Sequence, residues 1–303
     1  MVEIKNLTKY YGQKAAVKNI SFTVEDHEIL GFLGPNGAGK STTMNIICGV
    51  IPSSSGTVTI NGFDIAKDPI KAKRHIGFLP EIPPVYPDMK VKEYLTFVAG
   101  LKGVPGVKRK AQVAKAMDRL RITDVAGRLI RNLSKGYRQR VGFAQALLGE
   151  PDVLILDEPI NALDPEGIRE MRTLFQRLNQ EDGTTIFISS HILSEVDLLA
   201  DTIGIIQHGK LLTELPIEEI HKHQTDYISL QVDDVTRVAA LLENMRITNF
   251  SVLDKEFIHI YDSDISGKAL SKAIIENGIG LESMGRKQDT LEDFFFQLTE
   301  EEK

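Results

Sequence analysis

A glycine-rich stretch from Gly34 to Ser41 contains the residues whose types and spacing are best suited to chemistry. It fits the pattern G-x-x-x-x-G-K-S, whose glycines allow unusual backbone dihedrals and let the chain approach a ligand closely. The N–H groups of such a loop can cradle phosphates, the Lys40 ammonium can reach the β- and γ-phosphates, and the Ser41 hydroxyl can ligate Mg²⁺. The residues predicted to contact a nucleotide here are Asn36, Gly37, Ala38, Gly39, Lys40, Ser41 and Thr42.

A flexible loop without a ligand is the alternative interpretation of these glycines. An apolar run of strand type precedes the loop, and a run of helical type follows it. Phosphate-binding loops need this order of strand, loop and helix, because the positive end of the helix must face the ligand. The context therefore favours a nucleotide site.

Two adjacent carboxylates, Asp157 and Glu158, follow the apolar run Val153–Leu156. Hydrolysis of ATP needs one carboxylate to orient the metal and another to activate water, and this pair offers both at the end of a predicted buried strand. We predict that Asp157 holds the Mg²⁺ shell and that Glu158 is the general base. A pair of solvated turn carboxylates is the alternative, which the four preceding apolar residues disfavour.

The elements that must position these groups alternate between strands and helices over the first two thirds of the chain. Residues 1–30 alternate in short runs, as expected of antiparallel strands, whereas 153–156 and 185–189 are apolar enough for buried parallel strands. Helical periodicity predicts an all-helical insertion over about 88–148. The first domain, residues 1–222, is therefore predicted to have an α/β core.

Residues 223–303 differ in pattern and are predicted to form a second, small α+β domain. Strand-type and helix-type patterns occur there in the order β-α-β-β-α-β, followed by a last helix with an acidic first turn. That order suggests a ferredoxin-like arrangement.

The composition excludes several classes of protein. The chain has 303 residues and a formal net charge of −6, which argues against a general nucleic-acid binder because such proteins usually carry a basic surplus. The one cysteine, Cys48, precludes an intramolecular disulfide framework and is predicted to lie in the core. The longest uncharged stretch, 41–63, is interrupted by polar residues, Pro and Gly, so it is not a membrane span. If the protein works at a membrane, other polypeptides must cross it.

Five motifs occur in the order and at about the spacing found in the ATP-binding subunits of ABC transporters, which residues 1–220 resemble. The motifs are Gly34–Ser41, Leu133–Tyr137, Asp157–Pro159, Ala162–Asp164 and His191. The second motif, Leu-Ser-Lys-Gly-Tyr, precedes the Asp-Glu pair by about twenty residues, and this signature separates the family from other phosphate-loop NTPases. The resemblance implies an ABC-type phosphate-loop NTPase with a mixed-sheet core, an antiparallel β subdomain and a helical insertion.

Subunits of this family work as head-to-tail dimers that enclose two ATP molecules. The resemblance implies that Ser134 and Gly136 contact the γ-phosphate in the opposite subunit, at the start of a helix predicted from about Arg138. A plain helix N-cap at Ser134 is the alternative. His191 would contact a γ-phosphate, and Asp164 would lie at the dimer seam or cap the following helix. The predicted catalytic residues are Lys40, Glu158 and His191.

The resemblance also assigns an aromatic residue and exposes two departures from the family pattern. Tyr11 matches the residue that stacks on adenine, with the adjacent Tyr10 as an alternative. Glu81 replaces the glutamine that is usual in its loop; a carboxylate there can still bind Mg²⁺ or water but repels the γ-phosphate. Lys135 and Tyr137 replace the first glycine and the glutamine of the usual signature, Leu-Ser-Gly-Gly-Gln. The predicted metal ligands are Ser41, Asp157 and Glu81.

The departures and the C-terminal domain resemble the exporter branch that includes bacterial drug, bacitracin and lantibiotic resistance ATPases. This resemblance implies an ATPase that powers outward transport of a drug, antimicrobial peptide or similar amphipathic cargo through separate integral membrane permease subunits. It implies ATP and Mg²⁺ as ligands, a homodimer or heterodimer of ATP-binding subunits, and a position at the cytoplasmic face of the cell membrane, held by the permease. The alternatives are a soluble, non-transport ABC ATPase and an ATP-sensing regulatory subunit with little turnover.

Overall fold

The computed structural model describes residues 1–161, 163–222, 226–262 and 265–300, except for the side chains of Gln297 and Glu300. Ala162 of the predicted motifs and residue 223, the first of the predicted second domain, lie outside the described residues. The chain forms two compact units, one from Met1 to Ile217 and one that begins at Glu218. Within the described residues, no helix is long and apolar enough to cross a membrane.

The first unit alternates between strands and helices, as an α/β fold requires. In chain order its elements are β1 (Val2–Tyr11), β2 (Lys14–Val24), β3 (Ile29–Leu33), α1 (Lys40–Ile47), β4 (Ser55–Ile60), β5 (Phe63–Asp64), α2 (Pro69–Arg74), β6 (Ile76–Leu79), α3 (Val91–Leu101), α4 (Gly106–Arg119), α5 (Lys135–Leu147), β7 (Val153–Asp157), α6 (Pro165–Gln180), β8 (Thr185–Ser190), α7 (Leu193–Asp197), β9 (Thr202–Gln207) and β10 (Lys210–Pro216). Two short 3₁₀ helices, Thr123–Val125 and Ile130–Asn132, lie between α4 and α5. Helix α8 (Ile217–Lys222) follows β10 and begins at the last residue of the first unit.

A six-stranded mixed sheet forms the centre of this unit, in the order β10-β9-β3-β8-β7-β6. Its strands are parallel except β10, which forms an antiparallel hairpin with β9. β3, β7 and β8 are buried along their whole length, because parallel strands are covered on both faces. Their carboxyl ends lie side by side, where β3 enters the glycine-rich loop and β7 ends at Asp157.

A four-stranded antiparallel sheet, in the order β2-β1-β4-β5, forms a subdomain beside the central sheet. Three aromatic rings join the two sheets: Phe22 of β2, Phe32 of β3 and Phe187 of β8, with centroids 5.4, 5.7 and 5.2 Å apart. Rings at these separations stabilise a core beyond the area that they bury. These two strand orders confirm the predicted mixed sheet and antiparallel subdomain.

Helices α3, α4 and α5 occupy the part of the chain for which an all-helical insertion is predicted. α5 begins at Lys135, three residues earlier than predicted, because the Ser134 hydroxyl caps it by accepting a 3.3 Å hydrogen bond from the Tyr137 amide. Further along α5, the Gln145 amide donates to the carbonyl of Phe78 in β6, 2.8 Å away. α5 is thus attached to the edge of the central sheet, and the limits of the insertion, about 88–148, stay a prediction.

The second unit contains strands and helices in the predicted order, β-α-β-β-α-β followed by a last helix. These elements are β11 (Asp226–Val232), α9 (Val235–Asn244), β12 (Phe250–Val252), β13 (Phe257–Ile260), α10 (Gly267–Glu276), β14 (Leu281–Gln288) and α11 (Leu291–Glu300). The sheet is antiparallel, in the order β12-β13-β11-β14, and its buried apolar residues share a core with α9 and α10. The ferredoxin-like classification and the domain limits, 1–222 and 223–303, stay predictions.

A lysine that follows α3 caps the C-terminal end of α5. The Lys102 ammonium donates hydrogen bonds of 2.9 Å to the carbonyls of both Ala146 and Leu148. The last carbonyls of a helix lack partners within the helix, and a cation at this end interacts favourably with the helix dipole. Burial nevertheless lowers the pKa of Lys102 to about 8, because the charged form loses its hydration.

Replacing Lys102 by methionine should change how stability depends on pH. The lysine has a pKa of about 10.4 in an unfolded chain. Since its pKa is lowered to about 8 in the fold, the unfolded state binds more protons between these values, and this group makes the wild type more stable as the pH rises. The free energy of unfolding of the wild type minus that of Lys102→Met should therefore increase from about pH 7.5 to about pH 9.5 in equilibrium denaturation. Lys110→Met replaces an exposed lysine on α4 and is the control, for which this difference should change little with pH. If the difference for Lys102→Met stays constant or falls over this range, Lys102 does not have the lowered pKa that its burial implies.

Candidate functional site

The glycine-rich loop joins β3 to α1 through two glycines in left-handed backbone conformation. Gly37 has φ +80° and Gly39 has φ +115°, values that L side chains rarely adopt. At Gly34 the constraint is space, because a Cβ atom would lie 2.3 Å from the carbonyl oxygen of Ile206 in β9. The backbone itself therefore requires the glycines that the motif contains, and it places residues 36–39 in a loop directly before residues 40–42, which form the first turn of α1.

The Lys40 side chain is buried at the start of α1. Its ammonium donates a 2.6 Å hydrogen bond to the carbonyl of Gly34 in the same loop. Burial lowers the pKa of Lys40, whereas the charges of Glu158, Asp157 and Glu81 oppose this shift. The structure thus brings the predicted lysine close enough to all three predicted carboxylates for their charges to interact.

Asp157, at the end of β7, is held by a serine at the end of the neighbouring strand. Ser189 donates a 2.6 Å hydrogen bond to Asp157 Oδ1 and accepts a 3.0 Å bond from the backbone amide of Glu158. All three residues are buried, so water competes little with these bonds, and a hydrogen bond to an ionised group is among the stronger ones. Ser189 was not predicted as a site residue, because its position opposite Asp157 follows from the pairing of β7 with β8 and not from a local sequence pattern.

Glu158 and His191, two of the predicted catalytic residues, are in direct contact. His191 Nδ1 lies 2.8 Å from Oε2 of Glu158. An ionised carboxylate only accepts hydrogen bonds, so Nδ1 carries the proton in this contact. The Glu158 side chain is 9 % exposed and that of His191 is 54 % exposed. The histidine therefore orients a nearly buried carboxylate while the other edge of its ring remains accessible.

A surface groove apart from the phosphate-binding loop contains the residues that are predicted to contact a nucleotide in the opposite subunit. Ser134, Lys135, Gly136 and Asp164 line this groove, whose lining, as far as the structure describes it, includes no residue of the phosphate-binding loop. Both helix caps that the sequence suggests are present: Ser134 Oγ and Asp164 Oδ1 accept backbone N–H bonds of 3.3 and 2.9 Å. A role for these residues at a dimer interface stays a prediction.

Two exposed tyrosines stand where β1 ends. Tyr11 is 53 % exposed and Tyr10 is 52 % exposed, so both rings remain candidates for stacking on a base. The Lys9 ammonium lies 5.3 Å from the centroid of the Tyr11 ring, which adds a cation beside that ring. Glu81 is also exposed, in the proline-rich loop that follows β6.

The mixed sheet, the glycine-rich loop after β3 and the carboxylates after β7 define a phosphate-loop nucleotide-binding protein. The family model described as ABC transporter matches residues 17–161. The chain is 38 % identical over 299 residues to YcbN, an uncharacterized ABC transporter ATP-binding protein of Bacillus subtilis, with 98 % of this chain and 96 % of YcbN covered. It is 37 % identical over 299 residues to BcrA, a bacitracin transport ATP-binding protein of Bacillus licheniformis, with 98 % and 97 % covered.

A solved structure gives the same result for the fold. The chain is similar to the ATP-binding cassette MJ0796, a dimer in a post-hydrolysis state bound to ADP and Pi, with a TM-score of 0.67 and 26 % identity. The match covers 72 % of this chain and 99 % of that one. The chain therefore belongs to the ABC transporter family, and within it this chain is an ATP-binding subunit and an ATPase.

Removing the Ser189 hydroxyl should impair turnover more than it impairs folding. Ser189→Ala leaves Asp157 Oδ1 and the Glu158 amide without this partner, so the rate of ATP hydrolysis at saturating Mg²⁺ should fall about 10- to 100-fold. Ser190→Ala is the matched control: it removes a neighbouring buried hydroxyl, which accepts from the Ile192 amide, at a similar cost of about 1 kcal/mol in stability. Steady-state ATPase rates and thermal unfolding of both variants test this, and equal turnover in the two variants would refute the role of Ser189.

Proposed function

We propose that two copies of this subunit, or one copy and a closely related subunit, bind ATP·Mg²⁺ between the phosphate-binding loop of one and the Ser134 end of α5 in the other. The observation that supports this best is the separation of the two sets of groups. Lys40, Asp157 and Glu158 form one cluster, whereas Ser134 and its helix end line another groove. A nucleotide that contacts both sets therefore needs a second subunit.

Each predicted residue has a chemical task in such a site. The backbone of residues 36–42 and the Lys40 ammonium would bind phosphate oxygens, and Tyr11 or Tyr10 would stack on the base. The hydroxyl of Ser41 and the carboxylates of Asp157 and Glu81 are hard oxygen donors, which suit Mg²⁺ because it binds through one or two carboxylates together with phosphates. When bound, the metal would neutralise charge on the phosphates.

Glu158 is the group that we assign to activate water, and His191 assists it. The contact between Oε2 and the imidazole holds the carboxylate in one orientation, so that it can accept a proton from water. Ser134 and Gly136 would place the positive end of α5 against the terminal phosphate from the opposite side. Asp164, which caps α6 at the edge of the same groove, would lie at the seam between the subunits.

The ATPase would drive separate integral membrane permease subunits and be held by them at the cytoplasmic face of the cell membrane. A cytoplasmic helix of the permease would dock between the helices of 91–147 and the Glu81 loop, whose four prolines limit its freedom to absorb movement. The transport of bacitracin in the name of BcrA supports an antimicrobial peptide, drug or similar amphipathic cargo, moved outward. A soluble ATPase without a permease, and an ATP-sensing regulator with little turnover, are the competing functions.

Neutralising Glu158 should stop hydrolysis and leave nucleotide binding intact. Glu158→Gln keeps the size of the side chain but removes the base, so the turnover number should fall by about 100-fold or more, while ATP·Mg²⁺ still binds. Glu150→Gln, an exposed carboxylate shortly before β7, is the control and should hydrolyse ATP at the wild-type rate. Phosphate release and equilibrium nucleotide binding measure the two properties, and a regulator without turnover would show no difference between the variants.

Copurification should distinguish a transporter subunit from a soluble ATPase. The tagged full-length chain, captured in mild detergent, should enrich a polytopic membrane protein rather than ribosomes or DNA. Ile82→Asp places a charge on an 82 % exposed residue of the Glu81 loop and should reduce that yield about fivefold or more. Val107→Asp, on a 93 % exposed residue of α4, is the control away from this loop. Enrichment of ribosomes or DNA, or an equal yield with both variants, would contradict the proposed docking.

A further inference from the structure

We propose that the two charged departures from the family pattern form an ion pair across the dimer: Lys135 of one copy binds Glu81 of the other when the dimer closes. This inference rests on the proposed function, because only a head-to-tail dimer brings the end of α5 to the facing phosphate-binding loop. The pair would supply a contact that neither subunit can make alone.

Lys135 is an exposed cation at a position that does not favour one. It is the first residue of α5, where the positive end of the helix repels it, and the first turn contains no acidic residue to offset this. Two of the three carboxylates that line its groove have other partners: Glu170 accepts from Arg140 at 2.8 Å, and Asp164 caps α6. Glu166, the third, makes no ion pair with it in the described part of the chain. The charge of Lys135 is therefore available to a second molecule.

Glu81 is a negative charge near the phosphate-binding loop that has no ion-pair partner among the described residues. It is exposed and follows the carboxyl end of β6, where Leu79 pairs with the residue before Asp157, so it lies at the same edge of the sheet as the phosphate-binding loop. Lys40 itself is buried and already donates to the Gly34 carbonyl. A terminal phosphate that arrives beside Glu81 adds further negative charge, and like charges at close range repel each other. Mg²⁺ would offset part of this repulsion, because two positive charges do not balance a triphosphate together with the carboxylates of Asp157 and Glu81. A cation from the other subunit would offset part of the rest.

Dimer closure would bring the two charges together. In the proposed arrangement Ser134 of one copy faces the terminal phosphate held by the other, and Lys135 is the next residue in the chain. It would therefore reach the carboxylate beside that phosphate only in the closed state. Since a symmetric dimer repeats each contact, two such pairs would form, and closure would depend on charge balance at both sites.

A double-mutant cycle on the full-length chain measures this pairing. In the Glu158→Gln background with ATP·Mg²⁺, sedimentation gives the dissociation constant of the dimer for Lys135→Gln, Glu81→Gln and the two combined. Lys135→Gln should weaken the dimer about tenfold when Glu81 is intact, and less than about twofold when Glu81→Gln is already present. Lys268→Gln, another lysine in the first turn of a serine-capped helix, is the control for helix electrostatics and should change the dimer little.

The outcomes separate this inference from the proposed function. An equal loss in both backgrounds would overturn the pairing, because Lys135 would then act on the phosphate or elsewhere and not on Glu81. A Lys135→Gln dimer as tight as the parent would overturn it as well. If the Glu158→Gln parent binds ATP·Mg²⁺ but stays monomeric, the proposed dimer itself fails. Raising the salt concentration should weaken the parent dimer more than the Lys135→Gln dimer, since screening acts on the pair.

Discussion

The parallel pairing of β3, β8 and β7 is the constraint on which the rest of the site depends. Asp157 lies opposite Ser189 in this register, and Leu33, after which the glycine-rich loop begins, lies opposite Ser190. Neighbouring side chains of a strand point to opposite faces, so a shift of one residue would turn Asp157 away from its serine. The register is held by apolar side chains that contact no reacting group. Their burial nevertheless decides where the lysine, both carboxylates and the histidine meet.

Helix α5 connects parts of the molecule that the chemistry needs to coordinate. Its first residue follows Ser134, and Lys102 binds the carbonyls at its other end. Between them, the Gln139 amide donates to the carbonyl of Pro159, the residue after Glu158, at 3.3 Å. Gln145 bonds to the strand that leads into the Glu81 loop. Hydrogen bonds of α5 therefore reach both the backbone next to Glu158 and the strand before the loop that we expect a permease to contact.

The sequence alone was enough to predict the parts of the fold and site where only one or two residue types can do the chemistry. Glycines at positive φ, the lysine after them and a carboxylate pair after an apolar run each leave a local pattern, and the structure brings these groups together. Ser189 left no such pattern, because serine is common at strand ends and its task arises from pairing between strands that are distant in the chain. The start of α5 was misplaced for a similar reason: Lys-Gly-Tyr has no apolar periodicity, and the capping bond of Ser134 decides where the helix begins.

The hydrogen bonds of Lys40 affect how the loop distinguishes its ligands. The ammonium donates to the carbonyls of Gly34 and Pro35, at 2.6 and 3.3 Å. A phosphate bound as we propose would take their place, so that neutral acceptors would be replaced by charged ones while the number of hydrogen bonds would change little. What differs between adenosine mono-, di- and triphosphate is then mainly the negative charge that each brings to a buried cation. In the proposed site the loop would therefore respond to the total charge of a nucleotide more than to the number of bonds that it accepts.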